Sequence, residues 1–110
     1  MRIRIERNLQ NRTVRYVFVL AAAVASSQSV NLALNQPTWQ STTGTYSSLG
    51  LNVTGYSWLA VDGNKNTSYY TGASCSNTQS GSSPWLVVDL GVPTYIYAVN
   101  LTSRGDSAGK

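Results

Sequence analysis

The sequence predicts a small all-β protein built as an antiparallel β-sandwich. Two apolar stretches near the end of the chain alternate with period two, and the residues around them are rich in Gly, Ser, Thr and Asn. Alternation gives a strand one side that can face a core, and turn-forming residues separate short strands. No internal repeat and no long helical periodicity follows residue 25. Short strands joined by long polar loops are typical of antiparallel sandwiches.

The first 25 residues have the features of a secretory signal peptide. An arginine-rich segment precedes the apolar run YVFVLAAAVA (16–25), and Ala23-Val24-Ala25 supplies small residues for cleavage before Ser26. The run is too short to cross a bilayer, which takes about 20 apolar residues. We therefore predict a signal peptide at 1–25 and a secreted, extracellular mature domain at 26–110 that does not insert into a membrane. The alternative is an ordinary amino-terminal helix.

The positive charge of the chain is confined to this leader. The formal net charge is +4, and five of the eight basic residues lie before residue 16. The remainder balances three basic residues against three aspartates, so the charge pattern does not favour nucleic acid as a partner. The chain contains no histidine, the commonest general base, and no nucleophile with a neighbouring base. We therefore expect a binding protein rather than an enzyme.

Polar segments fill most of the chain between the leader and the strands. Residues 41–55 and 71–83 are too polar and too rich in glycine to predict a strand or a helix. Residues 59–67 (LAVDGNKNT) predict a tight turn after a short apolar segment, because Asp-Gly-Asn tolerates positive φ angles. All of these segments are expected to be loops.

Two strands are predicted near the end of the chain. Residues 84–91 (PWLVVDLG) form the first, with two faces: Leu86, Val88 and Leu90 on one, Trp85, Val87 and Asp89 on the other. Residues 95–104 (YIYAVNLTSR) form the second. Asn100 on this strand is a possible glycan site and is expected to face outward, which makes Val99 and Leu101 the expected core pair.

Two further features bear on secretion. The triplets that begin at Asn52, Asn66 and Asn100 are glycosylation sequons and are compatible with a secreted glycoprotein. Cys75 is the only cysteine of the chain. In an oxidising compartment a single cysteine is a reactive thiol, forms an intermolecular link or has lost its partner. The residues leave these three alternatives open.

Five blocks of the chain resemble the fucolectins, the F-type lectins. They occur in the family's order over residues 31–110 and are NLALNQPTWQS (31–41), LAVDGN (59–64), GASCSNT (72–78), PWLVVDLG (84–91) and SRGD (103–106). The resemblance implies an eight-stranded jelly-roll sandwich related to discoidin-type domains. Residues 26–110 are long enough for about five of these strands. We therefore expect the amino-terminal part of the domain only, truncated before its last strands.

The resemblance also implies a sugar-binding pocket at the loop end of the sandwich. The family signature is a histidine, a fixed spacing, Arg-x-Asp and a final basic residue. This spacing aligns the histidine with Asn77 and the Arg-x-Asp with Arg104 and Asp106, while Lys110 lies one position before the final basic residue. The Arg104 guanidinium would offer fixed donors to adjacent sugar hydroxyls, and Asp106 would orient it.

Two positions depart from the family pattern. Asn77 stands in place of histidine, so this side chain donates and accepts hydrogen bonds but carries no charge. Ser107-Ala108 stands in place of a vicinal cysteine pair that packs on the sugar ring. For the aromatic wall against the sugar the chain offers Tyr70 or Tyr69, and a tyrosine on a half-buried strand explains either one equally well.

A calcium site is the second expectation from the resemblance. Asp62-Gly63-Asn64 by itself indicates only a turn, although calcium prefers several oxygen ligands of the kind such a loop contains. The resemblance implies calcium held by the Leu59 carbonyl, Asp62, Asn64 and Ser74. In the family, a Cys-Glu pair further along the chain supplies the remaining calcium ligands. The cysteine of that pair forms a disulfide with the cysteine that aligns with Cys75.

The function implied by the resemblance is a secreted, calcium-dependent carbohydrate-binding module for fucose or a related sugar, with fucosylated glycans as partners. One alternative is an adhesion or scaffold module without sugar affinity, which the substitutions at Asn77, Ser107 and Ala108 favour. Another is integrin binding through Arg104-Gly105-Asp106. A third is one module of a larger enzyme or receptor.

Overall fold

A computed structural model of the protein describes residues 1–8 and 29–106. Every strand pair in this part of the chain is antiparallel, and the helices are two single turns. The elements in chain order are β1 (Arg2–Asn8), β2 (Ser29–Asn31), β3 (Thr38–Gln40), β4 (Thr45–Ser48), β5 (Leu51–Thr54), a 3-10 helix (Ser57–Ala60), α1 (Tyr69–Gly72), β6 (Leu86–Val88) and β7 (Ala98–Thr102). The predicted all-β antiparallel architecture is confirmed.

The described strands form three small sheets. One has the order β2-β1-β7, the second pairs β3 with β6, and the third is the β4–β5 hairpin. β1 pairs with β7 from Arg2 opposite Thr102 to Glu6 opposite Ala98. The register of β3 with β6 places Trp39 opposite Val87.

Two buried clusters hold these sheets together. The sheet core consists of Ile5, Ala33, Ala60 and Val61, and several half-buried apolar side chains pack against it, namely Ile3, Leu32, Leu86, Val88 and Leu90. The tyrosine core consists of Val53, Tyr69 and Cys75, with Tyr70 packed against it. The sheet core therefore joins β1 to β6, whereas the tyrosine core joins the β4–β5 hairpin to α1.

The strand at 84–91 is shorter than predicted but has the predicted two-faced character. β6 covers Leu86–Val88, and its Leu86 and Val88 pack with Leu90 on the sheet core. Trp85 and Val87 point away from this core and are exposed. The alternation of the sequence therefore separated the two faces correctly, and the structure shows which one is buried.

The expectation that Val99 and Leu101 form a core pair is wrong. β7 covers Ala98–Thr102, and these two side chains are 53% and 61% exposed. Alternation shows that a strand has an apolar face, but burial requires an opposing layer. Among the described residues, β1 is the neighbour of β7 in its sheet, and large apolar side chains along 92–101 remain exposed.

The expectation of a structureless loop at 41–55 is also wrong. Residues 45–54 form the β4–β5 hairpin, in which Ser48 pairs with Leu51. Its two-residue turn has positive φ at both positions, 54° at Leu49 and 75° at Gly50, as in a type I′ turn. Leucine rarely adopts such an angle, and the stretch lacks the Asn-Gly signal that usually marks this turn.

The start of the predicted leader forms a strand in the structure. β1 lies between β2 and β7, and the alternation Arg2-Ile3-Arg4-Ile5 gives it the apolar side that buries Ile5 in the sheet core. Residues 9–25 of the predicted leader lie outside the described residues. Cleavage before Ser26 stays a prediction, and it would remove β1, which supplies Ile5 to the sheet core and begins next to Met1. None of the helices in the described part of the chain is long and apolar enough to cross a membrane.

Candidate functional site

The Arg104-Gly105-Asp106 tripeptide is anchored to the segment that precedes α1. The Gly105 N–H donates to the Thr67 carbonyl at 2.9 Å, and the Tyr69 N–H donates to Asp106 Oδ2 at 3.1 Å. A Cβ added to Gly105 would come within 2.8 Å of Thr67 Oγ1, so a larger residue here would have to displace the Thr67 side chain. The tripeptide is therefore a fixed part of the fold, which does not favour the integrin-binding alternative.

Arg104 and Asp106 form a forked ion pair. The guanidinium donates from Nε to Oδ1 and from Nη2 to Oδ2, the second bond measuring 2.9 Å. The hydrogen bond from Arg104 lowers the pKa of Asp106, and the hydrogen bond to Asp106 raises the pKa of Arg104. Both groups therefore keep their charges throughout the neutral range. The carboxylate fixes the plane of the guanidinium, as two parallel bonds do in general.

Two tyrosine rings lie against the same guanidinium. Its Cζ is 4.5 Å from the centre of the Tyr69 ring and 5.6 Å from that of Tyr70. These distances are within the range of about 6 Å for attraction between a cation and an aromatic face. Tyr69 is fully buried, and its hydroxyl donates to the Val53 carbonyl at 3.3 Å. Arg104 is thus positioned by the tyrosine core as well as by Asp106.

Asn77 is held by the backbone of two buried glycines. Its N–H donates to the Gly55 carbonyl, its carbonyl accepts the Gly44 N–H, and the Gly55 N–H donates to the Gly44 carbonyl. A Cβ on Gly55 would lie 2.5 Å from Asn77 Cβ, so this packing requires glycine. The sequence interpretation missed both glycines. Each glycine lies in a polar loop whose sequence gives no sign of packing against Asn77, and only the tertiary contact shows it.

Asn77 and Arg104 both lie next to Tyr69. Burial raises the pKa of the Tyr69 phenol, while a hydrogen bond with Asn77 and the charge of Arg104 act in the opposite direction. Both residues line one open cavity of about 550 Å³, together with Tyr69 and Trp85. The two positions that the sequence aligned with the sugar-binding signature are therefore neighbours.

The other predicted sugar-site residues have different placements. Tyr70 contacts Arg104 but, among the described residues, it is Tyr69 that lines the cavity. Met1 also lines the cavity, and its amino group donates to the Ser76 carbonyl at 3.1 Å. Lys110 lies outside the described residues. Cys75 is buried at the cavity and unpaired within the described part of the chain.

The predicted calcium ligands lie along a chain of short turns. Asp62 Oδ1 accepts the Asn64 N–H at 2.8 Å, Asn64 Oδ1 accepts the Asn66 N–H at 3.0 Å, and the Ser74 hydroxyl donates to the Asn66 carbonyl. Gly63 has a φ angle of 77°, as the predicted turn requires. The structure thus connects Asp62, Asn64 and Ser74 through Asn66.

Asp62 and Asn64 also line a second cavity, of about 350 Å³. Leu59 and Ser74 are buried outside its lining. The described residues contain no group of three or more His, Cys, Asp or Glu side chains that could hold a metal. Any cation here would therefore depend on one carboxylate with hydroxyl, amide and backbone oxygens, a set that suits a hard ion such as calcium.

The antiparallel strands are consistent with part of a β-sandwich, and comparisons with known proteins identify a discoidin-like domain. Residues 59–110 match the family model described as NedA-like, galactose-binding domain. Over 107 residues the chain is 32% identical to fucolectin-1 of Anguilla japonica, a match that covers 90% of this chain and 58% of that protein. Fucolectin-5 of the same species is 36% identical over 80 residues, covering 73% of this chain and 40% of that protein.

A shorter match covers 46% of this chain and 27% of fucolectin-6 of Anguilla japonica, at 43% identity over 51 residues. No solved structure matches the chain. The predicted resemblance is confirmed: this chain carries a fucolectin-type, discoidin-like domain. The matched regions span 27% to 58% of the length of these three relatives. The relatives are named as lectins, in agreement with the expectation of a non-enzymatic binding protein.

Proposed function

We propose that the chain is a secreted carbohydrate-binding module that recognises fucose or a related sugar through Arg104, Asp106 and Asn77. The observation that carries this proposal is the guanidinium of Arg104, which Asp106 and two tyrosine rings fix beside a cavity that Asn77 also lines. A guanidinium held in one plane offers donors in fixed directions. Adjacent sugar hydroxyls are acceptors that match such an arrangement.

Asn77 supplies an uncharged hydrogen-bonding group next to the charged pair of Arg104 and Asp106. Its amide both donates and accepts, so it can bind a sugar hydroxyl in either direction. Tyr70 beside the guanidinium and Lys110 beyond the described residues complete the proposed set. The relatives' name indicates fucose as the first sugar to test on this chain.

Retention on immobilised fucose tests the proposal directly. Arg104→Ala should abolish retention, because it removes the fixed donors and leaves the Asp106 carboxylate without its cation. Lys65→Ala is the matched control, since it removes an exposed cation outside the Arg104 cavity, and it should retain binding. Equal retention of the wild-type chain and Arg104→Ala would contradict the proposal. The scaffold alternative instead predicts no retention of the wild-type chain on any sugar of a glycan array.

We also propose that calcium stabilises the loop at 59–74, with oxygen ligands from Leu59, Asp62, Asn64 and Ser74. The support is an oxygen-rich loop whose turns join three of these residues, with the Asp62 carboxylate at a cavity. Asp62 uses Oδ1 in its turn, and a cation would take Oδ2. When bound, calcium would supply positive charge that holds these oxygens together.

Thermal unfolding with calcium chloride or with a chelator tests this site. A bound ion at about 100 times its dissociation constant adds about 2.7 kcal/mol, which raises the Tm by several degrees. Asp62→Asn should lose this gain but keep the turn, because an amide oxygen still accepts the Asn64 N–H. Asp89→Asn is the control, since Asp89 makes the same kind of turn with Gly91 at 2.7 Å. A calcium response that survives Asp62→Asn would contradict the site.

Secretion is the remaining part of the proposal. The arginine-rich segment and the apolar run before Ser26 support it. Expression in a eukaryotic host should place the protein in the medium, and amino-terminal sequencing should find Ser26 first. A secreted chain that begins at Met1 would overturn the predicted cleavage site.

A further inference from the structure

The three glycosylation sequons of the chain lie in different structural settings. Asn52 is on β5, Asn66 is in the turns that precede α1, and Asn100 is on β7. All three residues are exposed, so exposure alone does not separate them. A glycan is bulky and belongs on a surface, so the folded chain accepts one only where the acceptor nitrogen Nδ2 has open space in front of it.

The amide of Asn52 is held at its oxygen and open at its nitrogen. Oδ1 accepts a hydrogen bond from the Ser47 hydroxyl across the hairpin, whereas Nδ2 makes no hydrogen bond to any described residue. Asn52 also lies outside the linings of both cavities. Ser47 therefore orients the amide and leaves the nitrogen that would carry a glycan open to solvent.

The two faces of the hairpin separate Asn52 from the proposed sugar site. Val53 is buried, and its carbonyl accepts the Tyr69 hydroxyl at 3.3 Å. Successive side chains of a strand point to opposite faces, so Asn52 points away from the tyrosine core. Thr54 shares the face of Asn52, and its hydroxyl lies 2.9 Å from that of Thr45. The asparagine and the threonine of this sequon thus share one polar face.

Asn66 is built into the fold by both its backbone and its amide. Its Oδ1 accepts the Ser68 N–H at 2.9 Å, and its carbonyl accepts the Ser74 hydroxyl. A Cβ on Gly72 would lie 2.6 Å from Asn66 Cγ and 2.9 Å from Asn66 Nδ2, so the amide packs directly on this glycine. A sugar on this nitrogen would therefore crowd α1.

Asn100 lies at a cavity with a proposed use of its own. It lines the space of about 350 Å³ that Asp62 and Asn64 also line, and in the sheet it stands opposite Arg4 of β1. A glycan on Asn100 would fill the opening through which the proposed calcium reaches Asp62. A glycan on the hairpin has no such cost.

We propose that Asn52 carries an N-linked oligosaccharide in the secreted protein, whereas Asn66 and Asn100 are unmodified. The proposal rests on the secretion part of the proposed function, because such glycans are added to secreted proteins. A host transferase forms the bond between Asn52 Nδ2 and C1 of the first sugar and breaks the bond between C1 and the diphosphate of a lipid-linked donor. The amide loses one proton, and the lipid diphosphate is the leaving group.

Selection among the three sequons follows from folding. A sugar attached to Asn66 or Asn100 before folding is complete would hinder the packing on Gly72 or the closure of the cavity at Asp62. A sugar attached to Asn52 would remain on the solvent face of the hairpin. The folded protein that leaves the cell is therefore the one modified at Asn52.

Mass mapping of the protein secreted by a eukaryotic host tests this proposal. Treatment with a peptide-N-glycosidase removes the sugar and converts the modified asparagine into aspartate, which identifies the site within a peptide. The expected result is conversion at Asn52 alone. Asn52→Gln should lose the whole glycan mass, because glutamine is not an acceptor, whereas Asn66→Gln and Asn100→Gln should lose none of it.

Two substitutions of Thr54 are the matched controls. Thr54→Ser keeps the hydroxyl that the sequon requires, and it should keep the glycan. Thr54→Val has nearly the same shape without the hydroxyl, and it should lose the glycan although Asn52 is still present. Equal glycan mass in both variants would show that the sugar is attached elsewhere and would overturn the assignment to Asn52.

The remaining outcomes separate this inference from the proposed secretion. Secreted protein without sugar on Asn52, or with sugar on Asn66 or Asn100, would overturn the inference and leave secretion intact. A foreign signal peptide placed before Met1 of the full chain gives the converse test. Sugar on Asn52 in this fusion, with no export of the unfused chain, would support the Asn52 site and contradict the predicted leader.

Discussion

The two buried clusters of this molecule differ in what they depend on. The sheet core takes Ile5 from β1, within the predicted leader, and packs beside a sheet whose β7 leaves Val99 and Leu101 exposed. The tyrosine core consists of Val53, Tyr69 and Cys75, and the Tyr69 ring lies against the Arg104 guanidinium. The tyrosine core that supports Arg104 is therefore local, whereas the sheet core depends on a distant amino-terminal strand.

This difference separates stability from binding. A change in the tyrosine core should affect both properties, because Tyr69 contacts Arg104 and supports the hairpin through Val53. A change in the sheet core should lower stability alone. Four predictions test this separation, in order of decreasing effect.

Tyr69→Ala should have the largest effect. Truncating a fully buried aromatic side chain costs about 3–5 kcal/mol of the free energy of unfolding. It also removes a ring contact of the guanidinium, so retention on fucose should be lost. Denaturant unfolding and affinity chromatography measure the two effects. Tyr95→Ala, at a side chain that is 95% exposed, should change neither by more than about 0.5 kcal/mol.

Ile5→Ala should destabilise the chain without altering its site. Loss of a buried isoleucine costs about 2–5 kcal/mol, measured in the full 110-residue chain. At a temperature where both proteins are folded, the affinity for fucose should equal that of the wild type. Weaker binding by folded Ile5→Ala would show that the two clusters are coupled. Val92→Ala, at an exposed apolar residue, is the control.

Gly55→Ala should displace Asn77. The added methyl group would lie 2.5 Å from Asn77 Cβ and from its backbone nitrogen, and relief of such overlap costs about 1–3 kcal/mol. Sugar affinity should fall together with stability. Gly81→Ala places its methyl group in open space and should have no effect on affinity. Unchanged sugar affinity in Gly55→Ala would mean that sugar binding does not depend on the observed position of Asn77.

The smallest expected effect is that of pH. The hydrogen bond from Arg104 lowers the pKa of Asp106 below its usual value of 3.8, so the stability from the ion pair is present above that value and lost as pH falls through the lowered pKa. The chain has no histidine, the side chain that ordinarily titrates between about pH 5 and 8. Fucose affinity should therefore be constant from about pH 5 to 7 and fall only in stronger acid. A step near pH 6 would contradict this assignment of charges.

Part of this structure could be predicted from local patterns. Period-two alternation identified the strand around Leu86 and Val88, and Asp62-Gly63-Asn64 identified its turn. The β4–β5 hairpin could not be predicted, because its turn depends on a leucine in a conformation that leucine rarely adopts. The strand β1 was missed because its arginines suggested a leader, although its isoleucines also alternate.

By itself the sequence determined the fold class, the turn at Asp62 and the correspondence of Asn77 and Arg104 to a known signature, because these are set by local pattern and by spacing along the chain. Only the tertiary structure decided that Tyr69 rather than Tyr70 lines the cavity, that Gly44 and Gly55 hold Asn77, and that Trp85 adjoins them. It also decided that Val99 and Leu101 are exposed. These properties depend on which distant segments come into contact, and burial and cavity shape arise from those contacts alone.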